Sequence, residues 1–324
     1  MEHDGKRKKR ILVIGGSSYL GSNVLHYLYG KYRLITTYYQ NRISIDDVLA
    51  IPLDLTNRDS LQKLIFTLSP DAVIYAPGIH DINRAQREPK FADLLNNAAP
   101  LAAASSCEKL DILFVYLSRS FVYSGEEGNY AEKEIPRPST VYGTSLYTAE
   151  YILQKSFSNY LIIRTTEVFG RSYNFHRCSY LEFVENHLAA GKSFFADDSI
   201  KNGHVSSLLL GKLIYLCIEN NIIGRILNFS SPNAMTRFEL ATAIADVIGA
   251  DSSIISKKNQ THSNEDVRNA LGRSGLNFNL SCKNVEKLFQ IAMPTIEEQL
   301  CNFYEFHGSR ASSSQRGAKK SVYI

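Results

Sequence analysis

Short apolar runs alternate with stretches of helical periodicity through the first half of the chain. The apolar runs cover residues 11–14, 32–38, 50–55, 71–78, 112–118 and 160–164. The helical stretches begin near residue 21 and cover residues 58–68, 91–110 and 141–156. Runs that are apolar throughout suit strands buried on both faces, and parallel strands joined by helices require right-handed crossovers. The pattern therefore predicts an α/β fold, a doubly wound parallel sheet with helices on both faces.

The strict alternation ends at about residue 171, where a smaller lobe is expected. Helical patterns cover residues 180–190, 207–219 and 237–248, and the last of these ends at Gly249, a suitable C-cap. A short strand is predicted over residues 193–198. The run at 225–229 predicts a strand that returns to the first sheet, so the two domains are interleaved rather than consecutive.

A turn of small residues joins the first predicted strand to the first helix. Its spacing, Gly15-x-x-Ser18-x-x-Gly21, departs from the G-x-G-x-x-G pattern of dinucleotide-binding turns. Glycines let the backbone approach a ligand closely, and a helix that starts near Gly21 aims its free amides at a pyrophosphate. The residues predicted to contact a dinucleotide here are Gly15, Ser17, Ser18, Tyr19, Leu20 and Gly21.

The ends of the next two strands indicate which dinucleotide binds. The second strand ends in residues 38–42, which include Arg42 and no acidic residue that would bind an adenosine ribose. A guanidinium there suits a 2′-phosphate, so NADP(H) is favoured over NAD(H); alternatively, Arg42 is a solvated loop residue. After the third strand, Asp54 is predicted either to face the adenine amine or to cap the following helix.

Composition and charge narrow the class of protein. The 324-residue chain is 44% hydrophobic with a net charge of +4, which indicates a soluble globular protein. Its basic ends lack interleaved aromatic residues, so no nucleic-acid partner is expected. No apolar run reaches membrane-spanning length and the N-terminus lacks an apolar signal core, so we expect a cytoplasmic protein without membrane contact. The five scattered cysteines indicate reduced packing residues and no metal site.

The order of the motifs resembles the extended short-chain dehydrogenase/reductase superfamily, in particular its dTDP-4-dehydrorhamnose reductase-like (RmlD-like) branch. That branch also contains the regulatory beta subunit of methionine adenosyltransferase. The resemblance runs in segments from about Ile11 to Phe303. After the turn at 15–21, the matching segments are 53–55, 76–78, 118–123, 138–143, 164–170 and 228–241. It implies a Rossmann fold and further cofactor contacts from Asp54, Leu55, Ala76, Pro77, Gly78 and Tyr142.

The resemblance implies three catalytic groups, two of which are changed in this chain. A tyrosine exchanges the proton, a lysine four residues later lowers its pKa and holds the nicotinamide ribose, and a serine or threonine polarises the carbonyl. Tyr142 matches the tyrosine, but Leu146 occupies the lysine position and Arg119 the serine or threonine position. A literal Tyr-x-x-x-Lys at residues 151–155 lies nine residues too late, and we interpret it as an ordinary helix pair.

Two interpretations of the Tyr142 region stay open. In the active one, Arg119 supplies a positive charge near Tyr142 while Ser118 or Ser120 supplies the hydroxyl. In the degenerate one, the chain still binds a dinucleotide but serves as a regulatory or partner-binding subunit. The favoured function is NADP(H)-dependent reduction of a nucleotide-linked keto sugar. A sugar-nucleotide epimerase or dehydratase is a further alternative, although those relatives commonly use NAD.

The resemblance also predicts where the substrate and a partner bind. Arg273 matches the position at which relatives place an arginine against the substrate pyrophosphate better than Arg268 does, and His204 is expected to line the same cleft. Relatives dimerise through the helices at 91–110 and 141–156, which allows a homodimer, or a partner enzyme if the chain is regulatory; packing on the sheet explains an apolar face of these helices equally well. The predicted regions are a basic extension (1–10), a dinucleotide-binding Rossmann domain (11–170), a substrate-binding lobe (171–308) with segments from about 204 to 230 returning to the first domain, and a disordered tail (309–324).

Overall fold

Seven parallel strands form the central sheet of the computed structural model, which describes residues 7–173, 178–258, 265–271 and 275–314. The strands of the chain, in order, are Arg10–Ile14 (β1), Arg33–Tyr38 (β2), Leu49–Pro52 (β3), Ala72–Tyr75 (β4), Leu113–Arg119 (β5), Tyr160–Thr165 (β6), Val168–Phe169 (β7), Phe194–Asp197 (β8), Ile200–Lys201 (β9), Val205–Ser206 (β10), Arg225–Phe229 (β11), Ile255–Lys258 (β12) and Leu276–Asn277 (β13). The sheet order β11-β6-β5-β4-β1-β2-β3 confirms the predicted doubly wound parallel fold.

Helices cover both faces of this sheet and build the second lobe. In chain order they are Tyr19–Leu28 (α1), Arg58–Leu68 (α2), Ile82–Arg87 (α3), Pro89–Asp93 (α4), Ala99–Lys109 (α5), Val141–Ser156 (α6), Tyr180–Ala189 (α7), Ser207–Glu219 (α8), Arg237–Ile248 (α9), Glu265–Leu271 (α10), Lys283–Phe289 (α11) and Ile296–Ser314 (α12). Single 3-10 turns lie at Ser120–Val122 and Ser252–Ile254. The bounds of α2, α6, α8 and α9 are those that the periodicity predicts.

Strand alternation separates the core into two layers. Ile11 and Val13 of β1 pack in the layer that holds α1 and α8, whereas Leu12 and Ile14 pack in the layer that holds α2, α5 and α6. Because successive side chains of a strand point to opposite faces, one apolar strand supplies both layers. A third cluster lies between α7, α9 and α12 in the second lobe. As predicted, β11 returns to the first sheet, where it pairs with β6.

The prediction of a single helix over 91–110 is wrong for the interior of that range. The helix begins at Pro89, and a π-helical turn at Leu94–Ala98 separates α4 from α5. Pro100 has no N–H to donate to the Asn96 carbonyl, so the regular helical bond is lost there. The Tyr116 hydroxyl donates to that carbonyl instead, at 2.6 Å. The irregular turn thus lets two polar groups of adjoining elements pair inside the core.

Ion pairs hold the start of the described chain, and a long helix ends it. Arg7 pairs with Asp71 at 2.7 Å and Lys9 with Glu219 at 3.1 Å, so part of the basic extension is held by acidic partners on the sheet domain. Helix α12 continues to Ser314, and residues 315–324 lie outside the described part of the chain. Among the cysteines, three are buried as expected for packing residues, whereas Cys178 and Cys301 are exposed.

Candidate active site

The small-residue turn after β1 packs against the turn after β4. Gly15 has a φ of 73°, and a Cβ there would lie 2.5 Å from Cγ of Pro77. The hydroxyl of Ser18 accepts a hydrogen bond from the Gly21 amide at 3.0 Å and donates one to the Ala76 carbonyl at 3.2 Å. Two of the segments that carry the family resemblance are therefore adjacent, and Ser18 joins them while capping α1.

Replacing Ser18 with alanine is expected to destabilise the fold. The variant loses the cap of α1 and the bond to Ala76, and the loss of a serine cap costs about 1 kcal/mol. Ser18→Asn, which keeps a capping oxygen, is the matched control and should retain more of the free energy of unfolding. Urea denaturation of the three proteins measures the difference; an unchanged midpoint for Ser18→Ala would show that the cap contributes nothing.

The predicted adenosine-side residues lie beyond the ends of β2 and β3. Arg42 is exposed in the loop after β2. The exposed carboxylate of Asp54 accepts from the Thr56 amide at 2.9 Å, whereas the cap of α2 is Asn57, whose side chain accepts from the Ser60 amide. The alternative in which Asp54 caps the helix is therefore wrong. Leu55 packs against the α2 layer of the core.

A cavity of about 310 Å³ opens at the carboxyl ends of β5 and β6. It is lined by Tyr19, His80, Arg119, Ser120, Phe121, Tyr142, Thr165, Thr166, Glu167, Val168, Ser172, Cys178, Ser179, Tyr180 and Arg237. Three residues that the sequence predicts for catalysis therefore line this cavity together with Tyr19: Tyr142, Arg119 and Ser120. Ser118 does not line the cavity: it is fully buried, and strand alternation turns it away from Arg119.

Tyr142 presents a buried phenol to this cavity. Tyr142 is only 3% exposed, and its hydroxyl makes no hydrogen bond within the described part of the chain. Burial raises the pKa of Tyr142, and the charge of Arg119 lowers it in part, with a net upward shift. Arg119 is held by a bond of 2.8 Å from Nη1 to the Thr166 carbonyl. One turn further along α6, Leu146 packs in the core, so an aliphatic side chain occupies the family's lysine position.

A second cavity of about 360 Å³ shares His80, Phe121, Glu167 and Arg237 with the first. Arg237 at the start of α9 makes two bonds to Glu167 after β6, at 2.8 and 3.2 Å, which join the two lobes at the point where the cavities meet. Although burial opposes ionisation, Arg237 and His204 lower the pKa of Glu167 to about 2, so the carboxylate is charged at neutral pH.

His204 is buried beside Glu167. It lies behind Glu167, with its Nδ1 3.7 Å from a carboxylate oxygen, and its Nε2 is 3.1 Å from the Met235 carbonyl. It is 1% exposed and lines neither cavity, and burial lowers its pKa. The cleft for which His204 was predicted includes Arg273, which lies outside the described residues, so that expectation stays a prediction.

Sequence reasoning missed Glu167, Arg237, Tyr180 and His80 as cavity residues. Glu167 follows the carboxyl end of β6, where open α/β sheets bind ligands, and that position was a usable signal. Arg237 begins a helix of the second lobe, and no local pattern connects it with β6. The predicted Arg268 lies in α10 with its side chain outside the described atoms, and Arg273 lies outside the described residues.

The literal Tyr-x-x-x-Lys lies away from both cavities. Tyr151 is 51% exposed on α6, and the Lys155 ammonium sits 5.9 Å from the centre of its ring. This arrangement agrees with the interpretation as an ordinary helix pair. Within the described ranges, no helix is long and apolar enough to cross a membrane, and no group of His, Cys, Asp or Glu residues is arranged to hold a metal ion.

The parallel sheet, the turn after β1 and the order of the motifs define an extended short-chain dehydrogenase/reductase. More particularly, the chain belongs to the family described as the RmlD substrate binding domain, which matches residues 9–307. Among curated relatives, the probable low-salt glycan biosynthesis reductase Agl14 of Haloferax volcanii is 26% identical over 89% of this chain and 95% of its own. The dTDP-4-dehydrorhamnose reductase of Aggregatibacter actinomycetemcomitans is 23% identical over 73% of this chain and 78% of its own.

The chain also resembles a transferase subunit in sequence and several solved structures in fold. Methionine adenosyltransferase 2 subunit beta of Xenopus laevis is 22% identical over 62% of this chain and 61% of its own. The Bacillus anthracis dTDP-4-dehydrorhamnose reductase in complex with NADP superposes with a TM-score of 0.77 at 18% identity, covering 92% and 99% of the two chains. Bordetella bronchiseptica WbmG in complex with NAD gives 0.74 at 14% identity, over 94% and 96%.

Proposed function

We propose that the protein reduces a nucleotide-linked keto sugar with NADP(H). The observation that supports this most is that Tyr142 and Arg119 line one cavity at the carboxyl ends of β5 and β6, where the charge of Arg119 acts on the Tyr142 phenol. The names of the reductases among its relatives favour the same substrate class. Tyr142 is the proton donor, and Arg119 takes over the electrostatic role of the lysine that Leu146 replaces.

The residues around the first turn fit a dinucleotide. The amino end of α1 offers backbone amides to a pyrophosphate, and the exposed Arg42 offers a guanidinium to a 2′-phosphate. Ala76 and Pro77 pack against that turn through the Ser18 hydroxyl and Gly15. When bound there, the nicotinamide ring supplies the hydride.

Arg42→Ala is expected to weaken NADPH binding roughly tenfold while leaving NADH binding nearly unchanged, because a charge-assisted bond to a phosphate contributes about 1.5–3 kcal/mol. Calorimetric titration with both cofactors measures the ratio. Arg33→Ala is the matched control, since Arg33 is also exposed but begins β2 at the opposite edge of the sheet. An equal loss for both cofactors, or none, would leave the NADP preference without support.

The chemistry of the chain's own groups suits reduction of a carbonyl. A phenol whose pKa is raised by burial stays protonated at neutral pH, so Tyr142 holds the proton that the product oxygen needs. Glu167, charged and fixed by Arg237, offers acceptor oxygens to sugar hydroxyls at the junction of the cavities. The test is NADPH oxidation, followed by absorbance, with dTDP-4-dehydrorhamnose and other nucleotide keto sugars. Cofactor binding without turnover on any of them would overturn the reductase proposal.

The second candidate is a dinucleotide-binding regulatory subunit. The observation that favours it is Leu146, which packs in the core where the family's lysine would neighbour the tyrosine. A relative named as the beta subunit of methionine adenosyltransferase 2 agrees with it. Co-purification of a partner enzyme with a chain that binds NADPH but turns over no keto sugar would select this candidate.

A further inference from the structure

The hydroxyl of Thr165 is a buried polar group without a partner at the proposed site. Thr165 ends β6, is fully buried and lines the first cavity. Its Oγ1 has no hydrogen-bond partner within the described part of the chain. A buried hydroxyl that is left unpaired destabilises a fold by about 1–3 kcal/mol, so such a group needs an explanation. A ligand oxygen in the cavity would satisfy it.

The sheet register places this hydroxyl beside Arg119. Thr165 and Arg119 are direct partners in the pairing of β6 with β5. Partners in adjacent parallel strands carry their side chains on the same face of the sheet. In addition, the Arg119 guanidinium bonds to the carbonyl of Thr166, the next residue. In the family, the catalytic serine or threonine stands at the position that Arg119 occupies in this chain. Thr165 lies directly beside that position on the adjacent strand β6.

We propose that Thr165 supplies the carbonyl-polarising hydroxyl that the substitution at Arg119 has removed, and this rests on the proposed reductase function. Its Oγ1 donates a hydrogen bond to the substrate carbonyl oxygen and keeps its proton. The carbonyl carbon gains the hydride from the reduced nicotinamide dinucleotide, and the oxygen gains the proton of Tyr142. The C=O double bond becomes a single bond with new C–H and O–H bonds, and water returns a proton to the phenolate.

Ser120 is the competing hydroxyl, because it also lines the cavity. It follows Arg119 and begins the 3-10 turn Ser120–Val122, so it leaves the register that aligns Thr165 with Arg119. In the described residues, the hydroxyl of Thr165 is buried and has no partner, and its alignment with Arg119 is what distinguishes it from that of Ser120. The geometry therefore favours Thr165, and the two are separated by experiment.

The test compares Thr165→Val with Thr165→Ser and Ser120→Ala. Thr165→Val keeps the shape and removes the hydroxyl, so kcat for the keto sugar is expected to fall about a hundredfold while the Kd for NADPH stays the same. Thr165→Ser should retain most of the activity. Since the valine also removes an unpaired buried polar group, its melting temperature should equal or exceed that of the wild type, which a purely structural role does not predict. A hundredfold loss in Ser120→Ala with full activity in Thr165→Val would overturn the proposal.

A measurement without turnover separates this proposal from the reductase proposal. The rise in melting temperature produced by dTDP-4-dehydrorhamnose with NADP⁺ should be smaller for Thr165→Val than for the wild type, because the hydroxyl finds its partner only in the complex. Ser118→Ala is the matched control: its hydroxyl is likewise buried and unpaired in the described structure, but it lies outside the cavity. Equal shifts for wild type and Thr165→Val would overturn the contact even if the wild type is active. A reduced shift in a protein without turnover would keep the contact and reject the reductase.

Discussion

Tyr142→Phe is expected to lower the rate of NADPH-dependent reduction by about a hundredfold or more, because general acid catalysis contributes about 10²–10⁴ in rate. The phenol faces the cavity and makes no hydrogen bond within the described residues, so the deletion of its oxygen removes a proton donor and no structural bond. The ring stays packed against Phe121, with the ring centres 5.7 Å apart. The Kd for NADPH and the melting temperature should therefore change little while kcat falls.

Tyr151→Phe is the matched control on the same helix. Tyr151 belongs to the literal Tyr-x-x-x-Lys and is half exposed, away from the cavities. Steady-state kinetics of the two variants decide between the two tyrosines. Full turnover by Tyr142→Phe, or a large loss in Tyr151→Phe, would remove Tyr142 from the mechanism and with it the chemical argument for a reductase.

Local patterns fixed most of the fold because each element is specified by its own residues. The strands β1, β4, β5 and β6 are apolar over most of their length, and α6 and α9 carry caps at Thr140 and Thr236 that mark where they begin. The π-helical turn at 94–98 was not foreseeable in the same way. Pro100 lies in the segment itself and removes one regular helical bond, but the freed Asn96 carbonyl is paired by the Tyr116 hydroxyl of another element, which periodicity within one segment does not show.

The candidate site was predictable as far as it follows the family order. Tyr142 and Arg119 do meet in one cavity, as the active interpretation requires, and Ser118 is excluded by the alternation that makes β5 a strand. The ion pair of Glu167 with Arg237 was missed because its partners are 70 residues apart and come from different lobes. Thr165 was missed for a different reason. The argument for it rests on the strand register and on the lack of a hydrogen-bond partner in the described structure, and neither can be predicted from the sequence.

Arg119→Gln is expected to lower kcat for reduction by about a hundredfold and to move the pH profile. Tyr142 must be protonated to donate, so the reduction rate falls as pH rises through its pKa. Arg119 lowers that pKa against the effect of burial, and its removal raises the pKa further. The alkaline limb of the reduction profile should therefore move to higher pH. A weaker acid also releases its proton less readily, which explains the lower rate.

The reverse reaction and the Arg119→Lys variant test the direction of this pKa shift. Oxidation of the product alcohol needs the phenolate, so in Arg119→Gln the rise of that rate with pH should also begin at higher pH. Arg119→Lys keeps a positive charge near Tyr142 and should restore part of kcat and most of the profile. If Arg119 only held the Thr166 carbonyl, Gln and Lys variants would lose activity without a change in either limb. A pH profile that stays unchanged while kcat falls would thus show that Arg119 has only a structural role. The absence of the family's lysine from α6 would then again need an explanation.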